Sequence, residues 1–239
     1  MIRTIIWYLF GWLNLAISFP VLIIIRRLER IGKTDKRDRL ADKFSMKLAK
    51  GLFSLTGSSL EITGMENIPA DKPVLFVSNH QSHMDSAVIH GFIHVPKGFI
   101  VDKDANNIPI LRTWLKYMKC IPIDRGNSMQ NIRSMEETIE ILRAGHSMVI
   151  YPEGRLDEGK CLLKFKDGYV RLAMKAKVPV VPVTVVDTWR IMNRAGTKIS
   201  SASVRCIISP AIDISGFNKG DEKALNQKIY NIIDKNLKI

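Results

Sequence analysis

The sequence predicts an α/β domain whose mixed, mostly parallel sheet is flanked by helices, preceded by an N-terminal membrane-associated helical segment. Two patterns support this architecture. After Gly57, short apolar runs rich in β-branched residues alternate with segments whose apolar residues recur at helical spacing, which is typical of a sheet covered by helices. Before Gly57, residues 4–25 carry no charged side chain. We therefore assign residues 1–57 to anchoring helices and residues 58–239 to the α/β domain.

The apolar runs place the strands at residues 60–63, 74–78, 98–101, 120–123, 148–151, 180–186 and 203–209. The segments between them place helices at about 82–92, 110–118, 129–144 and 168–176, with a last helix near 222–237. Two prolines, Pro179 and Pro182, lie just before and within the sixth run, in the sequence Val-Pro-Val-Val-Pro-Val at 178–183. Because proline has no N–H to donate to a sheet, this run is predicted to be an edge or irregular strand. Polar residues that directly follow the strands should gather at one edge of the sheet, where sites form in α/β proteins.

The N-terminal segment is long enough to cross a membrane. A helix over residues 4–25 would be roughly 33 Å long, and the hydrocarbon core of a bilayer is about 30 Å thick. No small-residue cleavage site follows, so we expect the segment to be retained rather than removed as a signal peptide. Cations crowd residues 26–39 and, by the positive-inside rule, predict a cytoplasmic-membrane location with the folded domain on the cytoplasmic side.

Two features leave open whether this segment crosses the membrane. Pro20 can kink a helix. Residues 40–55 place apolar side chains at helical spacing with lysines among them, a pattern that fits an interfacial amphipathic helix or an ordinary helix packed on the domain. A two-helix hairpin that dips into one leaflet is therefore an alternative to a true span.

The charge of the chain predicts anionic partners. The formal net charge is +13, so the surface should attract nucleic acid, anionic lipid head groups or acidic carrier proteins. The apolar N-terminus favours anionic membrane lipids, and without a recognisable nucleic-acid motif we expect no nucleic-acid partner. The cysteines Cys120, Cys161 and Cys206 are widely spaced and odd in number, which predicts neither a disulfide framework nor a zinc site and fits a reducing compartment.

A histidine and an aspartate follow the second strand closely. His80 and Asp85 are five residues apart, and on one ideal helix their side chains would point about 140° apart. His80 is therefore predicted in the turn before the helix, with Ser82 as N-cap and Asp85 in the first turn, where the carboxylate can fold back onto the imidazole. Such a pair suits a general base that activates a hydroxyl group.

Two other interpretations of the same residues stay open at this stage. The spacing of Ser82 and Asp85 also fits a capping box with no catalytic role. A metal site built from His80, His83 and Asp85 is a third interpretation, which we do not favour because the three residues do not share one helix face and no further ligand motif accompanies them.

Four segments, taken in order, resemble the lysophosphatidic acid acyltransferases, which are the 1-acyl-sn-glycerol-3-phosphate acyltransferases of the wider glycerolipid acyltransferase family. The resemblance covers roughly residues 60–186 and includes a Phe-Lys-x-Gly sequence at 165–168. The family's four motifs are matched by Asn-His-x-x-x-x-Asp at 79–85, by Lys103 with Ile-Pro at 108–109, Trp114 and Ile-Pro-Ile-Asp-Arg at 121–125, by Tyr-Pro-Glu-Gly at 151–154, and by Val-Pro-Val-Val-Pro-Val at 178–183.

The resemblance implies transfer of a fatty acyl group from a thioester, on acyl carrier protein or coenzyme A, to the sn-2 hydroxyl of lysophosphatidic acid, giving phosphatidic acid. An acceptor such as glycerol 3-phosphate, another lysophospholipid or a lyso-aminolipid is the alternative. His80 would be the general base, oriented by Asp85, with no metal and no cofactor besides the acyl-thioester co-substrate. The substrate-binding residues implied by the motifs are Lys103, Arg125, Glu153, Gly154 and Arg155.

One position departs from the family pattern. After Glu-Gly the family usually has Thr-Arg-Ser, whereas this chain has Arg155, Leu156 and Asp157. Arg155 therefore comes one position earlier than the family's arginine, and it takes over that arginine's role only if the loop brings it to the same place.

Overall fold

The computed structural model describes residues 1–124, 126–157, 159, 161–192, 197–218 and 220–238. The strands are β1 Ser59–Thr63, β2 Leu75–Ser78, β3 Lys97–Asp102, β4 Ile121–Ile123, β5 Ser147–Ile150, β6 Val180–Val186 and β7 Ser203–Ile208. The helices are α1 Ile2–Arg30, α2 Thr34–Ser54, α3 Met84–Phe92, α4 Pro109–Tyr117, α5 Ser128–Arg143, α6 Gly168–Ala176 and α7 Glu222–Leu237. Within the domain, the predicted strands and helices all form, with ends that differ from the prediction by at most two residues.

The strands form one sheet in the order β1-β7-β6-β2-β5-β3-β4. All pairs are parallel except β6 and β7, which confirms the predicted mixed, mostly parallel sheet. Alternate residues of β2 face opposite sides of the sheet, with Leu75 and Val77 packed in a core with α5, α6 and α7. Phe76 packs on the other side with α2 and α3. Helices therefore cover both faces, and the apolar runs of the central strands are buried on both sides.

The prediction that the proline-containing run is an edge or irregular strand is wrong, because β6 is a regular seven-residue strand inside the sheet. β6 lies inside the sheet, parallel to β2 and antiparallel to β7, and all its residues are buried. The antiparallel ladder with β7 begins at Val183, so Pro182 lies just outside it and the missing N–H breaks no ladder bond there. The carbonyl of Pro182 still accepts a hydrogen bond from the N–H of Ser209 at 2.9 Å.

Helices α1 and α2 form an antiparallel hairpin that packs on the domain. The indole N–H of Trp7 donates to the carbonyl of Leu52 at 2.7 Å, and Gly51 leaves room for the Phe10 ring, which would lie 3.0 Å from an added Cβ. Near its middle, α1 contacts α4, where the indole N–H of Trp114 donates to Ser18 Oγ at 2.8 Å. The outer face of α1 is bare and apolar along its length, with exposed Ile2, Ile5, Ile6, Leu9, Trp12, Leu13, Ile17, Phe19, Ile23 and Ile24.

Among the described residues, α1 is the helix whose length and mean hydropathy of 2.0 would allow it to cross a membrane. These two properties also occur in core helices and signal sequences, but α1 is largely exposed, unlike a core helix.

Two buried histidines should make the folded domain sensitive to acid. His90 of α3 and His146 before β5 are 5% and 8% exposed. Burial, reinforced by nearby lysines, lowers the pKa of His90 to about 3 and that of His146 to about 4, whereas an unfolded chain has a histidine pKa near 6.5. Both imidazoles are therefore neutral in the folded protein at pH 7. The stability that the two neutral histidines contribute is present above about pH 6.5. It is lost as the pH falls toward their folded-state pKa values of about 4 and 3, because in this range the unfolded chain binds more protons than the folded chain does.

We expect His90→Asn to flatten this dependence. Between pH 6.5 and 5, the wild-type free energy of unfolding should fall more steeply than that of the variant, by up to about 1.4 kcal/mol per pH unit. Denaturant unfolding at several pH values measures the slopes. His94→Asn is the matched control because His94 is exposed, and equal slopes in wild type and His90→Asn would contradict the prediction.

Candidate active site

The first motif forms the turn between β2 and α3. His80 lies in that turn, as predicted, and its Nδ1 is 2.9 Å from Asp85 Oδ2. The prediction that Ser82 is the N-cap is wrong, because α3 begins at Met84 with His83 as its N-cap residue. The Ser82 hydroxyl donates to the distant carbonyl of Met192 at 2.9 Å, and its oxygen still accepts the N–H of Met84, the first residue of α3, at 3.3 Å.

Asp85 is a buried carboxylate with a full set of donors. Its Oδ2 accepts the backbone N–H groups of Gln81 and Ser82, at 2.7 and 2.9 Å, in addition to the imidazole. Its Oδ1 accepts the hydroxyl of Thr188. Since Oδ2 already accepts two backbone N–H groups, it acts as an acceptor toward the imidazole as well, so His80 Nδ1 carries the proton of the bond that it shares with Asp85. The unprotonated Nε2 of His80 then remains as a base, and it forms no hydrogen bond with any described residue.

Tyr151 packs against the face of the imidazole. Its ring centroid is 3.9 Å from that of His80 and the planes differ by 11°. The Tyr151 hydroxyl shares a 3.0 Å hydrogen bond with Ser86 Oγ, and burial raises the pKa of Tyr151 well above its ordinary value, so the phenol stays neutral. The ring therefore fixes the imidazole plane, and its π face favours the imidazolium form when a proton arrives.

The third-motif loop holds the backbone of His80 from both sides. Glu153 Oε1 accepts the N–H of His80 at 2.7 Å, and the N–H of Asp157 donates to the carbonyl of His80 at 3.0 Å. Glu153 Oε2 accepts the N–H of Leu163 at 2.9 Å. Burial raises the pKa of Glu153 to about 8, although its two N–H bonds lower it. The substrate contact implied for Glu153 stays a prediction, and its observed contacts position His80.

Gly154 follows in a conformation that favours glycine. Its φ is +70°, and an added Cβ would lie 3.3 Å from Lys166 Nζ. A side chain here would be strained by the backbone and would crowd that lysine. The backbone geometry alone therefore explains why residue 154 is a glycine. The substrate contact implied for Gly154 stays a prediction.

Two of the three cations implied by the motifs, Lys103 and Arg155, are described by the structure. Both lie at the same edge of the sheet as His80. Lys103 follows β3, and its Nζ is 2.9 Å from Asp124 Oδ2 after β4. Its bond to Asp124 raises the pKa of Lys103, so it stays charged. Arg155 is exposed and forms no ion pair within the described part of the chain. Arg125 lies outside the described residues.

Thr188 and Asn79 have structural roles that sequence reasoning missed. Thr188 donates to Asp85 across a separation of 103 residues, and nothing near Thr188 in the sequence signals that contact. Asn79, which begins the first motif, pairs its side-chain amide with the backbone of Val185 in β6 through bonds of 2.8 and 2.9 Å. The resemblance already included Asn79, but its function in tying the turn to β6 is visible only in the structure.

The metal interpretation gains no support from the geometry. His83 is exposed, and its ring centroid is 6.4 Å from that of His80. Across the ranges that the structure describes, no group of three or more His, Cys, Asp or Glu side chains is arranged to hold a metal ion.

The fold and the site together define an α/β protein that presents a carboxylate-oriented histidine at the carboxyl edge of a mostly parallel sheet. The chain belongs to the Acyltransferase family, whose model it matches over residues 59–186, more than half of its length. This match confirms the family predicted from the four motifs.

Curated relatives carry related names. The chain is 32% identical over 203 residues to a chloroplastic 1-acyl-sn-glycerol-3-phosphate acyltransferase of Arabidopsis thaliana, covering 83% of this chain and 56% of the relative. It is 27% identical to a probable 1-acyl-sn-glycerol-3-phosphate acyltransferase of Mycoplasma pneumoniae, covering 74% and 70%. The chain spans about half the length of the two chloroplastic relatives it matches in Arabidopsis thaliana and Brassica napus.

A solved structure shows the same fold. The crystal structure of the 1-acyl-sn-glycerophosphate (LPA) acyltransferase PlsC from Thermotoga maritima superposes with a TM-score of 0.86. The match covers 99% of this chain and 94% of the other, at 24% sequence identity. The shared architecture therefore includes the N-terminal helices as well as the sheet.

Proposed function

We propose that this protein transfers a fatty acyl group from an acyl thioester, on acyl carrier protein or coenzyme A, to the sn-2 hydroxyl of lysophosphatidic acid. The observation that carries the proposal is the unpartnered Nε2 of His80, in a ring oriented by Asp85 at 2.9 Å and stacked on Tyr151. The names of the curated relatives support the acceptor. The family match supports acyl transfer as the reaction class.

The reaction needs one base and no covalent intermediate on the protein. His80 Nε2 takes the proton of the acceptor hydroxyl while the hydroxyl oxygen attacks the thioester carbonyl carbon. Asp85 stabilises the imidazolium that forms, without taking its proton. The tetrahedral intermediate then collapses, the C–S bond breaks, and Nε2 returns the proton to the leaving thiolate. The products are the new ester and a free thiol.

The cysteines support direct transfer rather than an acyl-cysteine intermediate. Burial raises the pKa of Cys120 and of Cys206 to about 12, so both stay protonated at neutral pH and are poor nucleophiles. Cys161 is exposed and forms no hydrogen bond with His80.

Cations at the carboxyl edge suit an acceptor that carries a phosphate. We infer that Lys103, Arg125 and Arg155 bind that phosphate, and arginine can do so with two parallel hydrogen bonds. Support comes from Lys103, which follows β3 at the carboxyl edge of the sheet, two strands from β2, and from the exposed guanidinium of Arg155 after β5, which forms no ion pair with a described residue. Acylation of a different acceptor, such as glycerol 3-phosphate, another lysophospholipid or a lyso-aminolipid, is the second candidate.

The proposal is tested with purified protein in lipid vesicles, supplied with acyl carrier protein and coenzyme A thioesters in separate reactions. Lysophosphatidic acid, glycerol 3-phosphate, lysophosphatidylcholine and uncharged monoacylglycerol are compared as acceptors. Phosphatidic acid as the preferred product supports the proposal. Equal rates with monoacylglycerol would contradict phosphate recognition, a preference for another acceptor would contradict the acceptor, and no transfer to any of them would contradict the reaction.

We infer that α1 lies along the cytoplasmic leaflet of the cytoplasmic membrane, with its bare apolar face in the lipid and the domain on the cytoplasmic side. The opposite face of α1 contacts α2 through Trp7 and α4 through Ser18. A transmembrane α1 would draw α2 into the hydrocarbon with the exposed cations Lys43 and Lys47, which is costly. The net charge of +13 would add attraction to anionic lipid, at about 1 kcal/mol per well-placed cation.

We expect Ile17→Glu to weaken membrane binding at least about tenfold, because the carboxylate would enter an apolar layer. Ile17 is 56% exposed in the middle of the apolar face. Flotation with vesicles of phosphatidylglycerol and phosphatidylcholine measures the bound fraction. Gln227→Glu adds the same charge to an exposed position of α7, on the other face of the sheet, and should bind as wild type does. Equal binding by both variants would contradict the inferred orientation.

A further inference from the structure

The segment that follows β6 folds back over the turn that carries His80. The N–H of Asp187 donates to Gln81 Oε1 at 2.9 Å, and the carbonyl of Met192 accepts the hydroxyl of Ser82 at 2.9 Å. Between these two fixed points, Thr188 begins a short 3-10 turn and directs its hydroxyl to Asp85. The segment is thus held on both sides of Thr188 by the residues that also bind Asp85 through their backbone N–H groups.

The Thr188 hydroxyl has a distinct position among the donors to Asp85. The imidazole and two backbone N–H groups all bind Oδ2, whereas within the described ranges the bond to Oδ1 comes from Thr188. Thr188 and Asp85 are both fully buried. A buried carboxylate oxygen that loses its donor is costly because no water replaces the bond. Without the hydroxyl, the carboxylate would gain by rotating Oδ1 toward the other donors, and Oδ2 would leave His80.

The local backbone explains how Thr188 holds this position. Asp187 has a φ of +69°, a left-handed conformation that turns the chain sharply before Thr188. The branched Thr188 side chain has few rotamers, so its hydroxyl is held in one direction more firmly than a serine hydroxyl would be. Thr188 lies two residues beyond the 59–186 range that matches the family model.

We propose that Thr188 is a positioning residue for acyl transfer, because its hydroxyl fixes the rotation of the Asp85 carboxylate and so keeps Oδ2 on His80 Nδ1. The proposal rests on the proposed function for its kinetic consequence. It concerns neither acceptor nor donor binding, so it predicts an effect on kcat alone.

The test compares Thr188→Val, which keeps the shape and removes the hydroxyl, with Thr188→Ser, which keeps the hydroxyl. We expect Thr188→Val to lower kcat by about 10- to 100-fold, with the KM of acceptor and donor unchanged within about twofold. Thr188→Ser should stay within about threefold of wild type. A role in folding alone would lower the fraction of active protein instead. Thermal unfolding and a count of active sites therefore accompany each variant.

A double-mutant cycle separates action through Asp85 from other effects. If Thr188 acts by orienting the charge of Asp85, Thr188→Val should cost much less kcat in an Asp85→Asn background than in the wild-type background. An unchanged kcat in Thr188→Val, an equal loss in Thr188→Ser, or the same fold-loss in both backgrounds would each overturn the proposal.

A measurement that needs no substrate turnover tests the positioning role of Thr188 separately from the proposed acyltransferase function. The proton on His80 Nδ1 gives an NMR resonance that reports its bond to Asp85. We expect that resonance to move upfield in Thr188→Val and to stay in place in Thr188→Ser. A moved resonance in a protein that acylates no acceptor would support the positioning role and defeat the proposed function, whereas an unmoved resonance would overturn the positioning role.

Discussion

His80→Ala should lower kcat by about 10²- to 10⁴-fold, the usual contribution of a general base, while lipid binding stays nearly intact. The reason lies in how His80 is held. Its backbone N–H binds Glu153 and its carbonyl accepts from Asp157, and an alanine keeps both bonds. The turn before α3 should therefore keep its shape, and the variant should lose only the imidazole.

The measurement is the rate of phosphatidic acid formation with saturating lysophosphatidic acid and thioester, together with vesicle binding of the same preparation. His83→Ala is the matched control, because it removes an exposed imidazole three residues away whose ring lies 6.4 Å from that of His80. We expect His83→Ala to keep at least about a third of the wild-type kcat. Retention of most activity by His80→Ala would exclude His80 as the base.

The arrangement of His80 and Asp85 could be predicted because it depends on local geometry. The apolar run of β2 and the amphipathic pattern after it place a turn at His80 and a helix start near Asp85. A separation of five residues then allows the two side chains to meet only if the histidine precedes the helix. The observed 2.9 Å contact follows from those two facts.

The edge-strand prediction was wrong because a local rule about proline was applied where the strand order of the sheet determines which strands are central. Pro182 argues for an edge strand by its missing N–H, yet the end of the β7 ladder falls at that position. The continuous apolar run of β6, buried along its whole length, is the pattern of a central strand and predicts its position better than the proline does. Ser82 suits an N-cap by residue type, and its hydroxyl does accept the N–H of Met84 at 3.3 Å, but α3 begins at Met84 with His83 as its N-cap residue, one position later than predicted.

The residues around the dyad could be predicted only in part. Glu153 was found through the family motif, but its two backbone bonds depend on how the loop at 153–163 wraps around the turn of His80. The sequence around Thr188 gives no indication of its contact with Asp85, because the pairing of β6 with β2 brings these two residues together. Contacts that depend on strand order are therefore the part of the site that sequence spacing leaves undetermined.

Asp85→Asn should lower kcat by about 10²- to 10⁴-fold with little change in KM, because it removes the charge that stabilises the imidazolium. The surroundings allow this substitution without collapse of the site. The asparagine oxygen can take the place of Oδ2 and accept from His80, Gln81 and Ser82, as Asp85 does. The asparagine amide would then face Thr188, whose hydroxyl can turn to accept a hydrogen bond instead of donating one.

The fold of Asp85→Asn should therefore survive, and its defect should be electrostatic. Thermal unfolding and rate measurements on the same preparation distinguish a lost charge from a lost structure. Asp71→Asn makes the same chemical change at an exposed position before β2 and should keep wild-type kcat. If Asp85→Asn were folded and nearly fully active, the carboxylate would serve only to cap α3 and hold the turn, and the capping-box interpretation would replace the catalytic one for this residue.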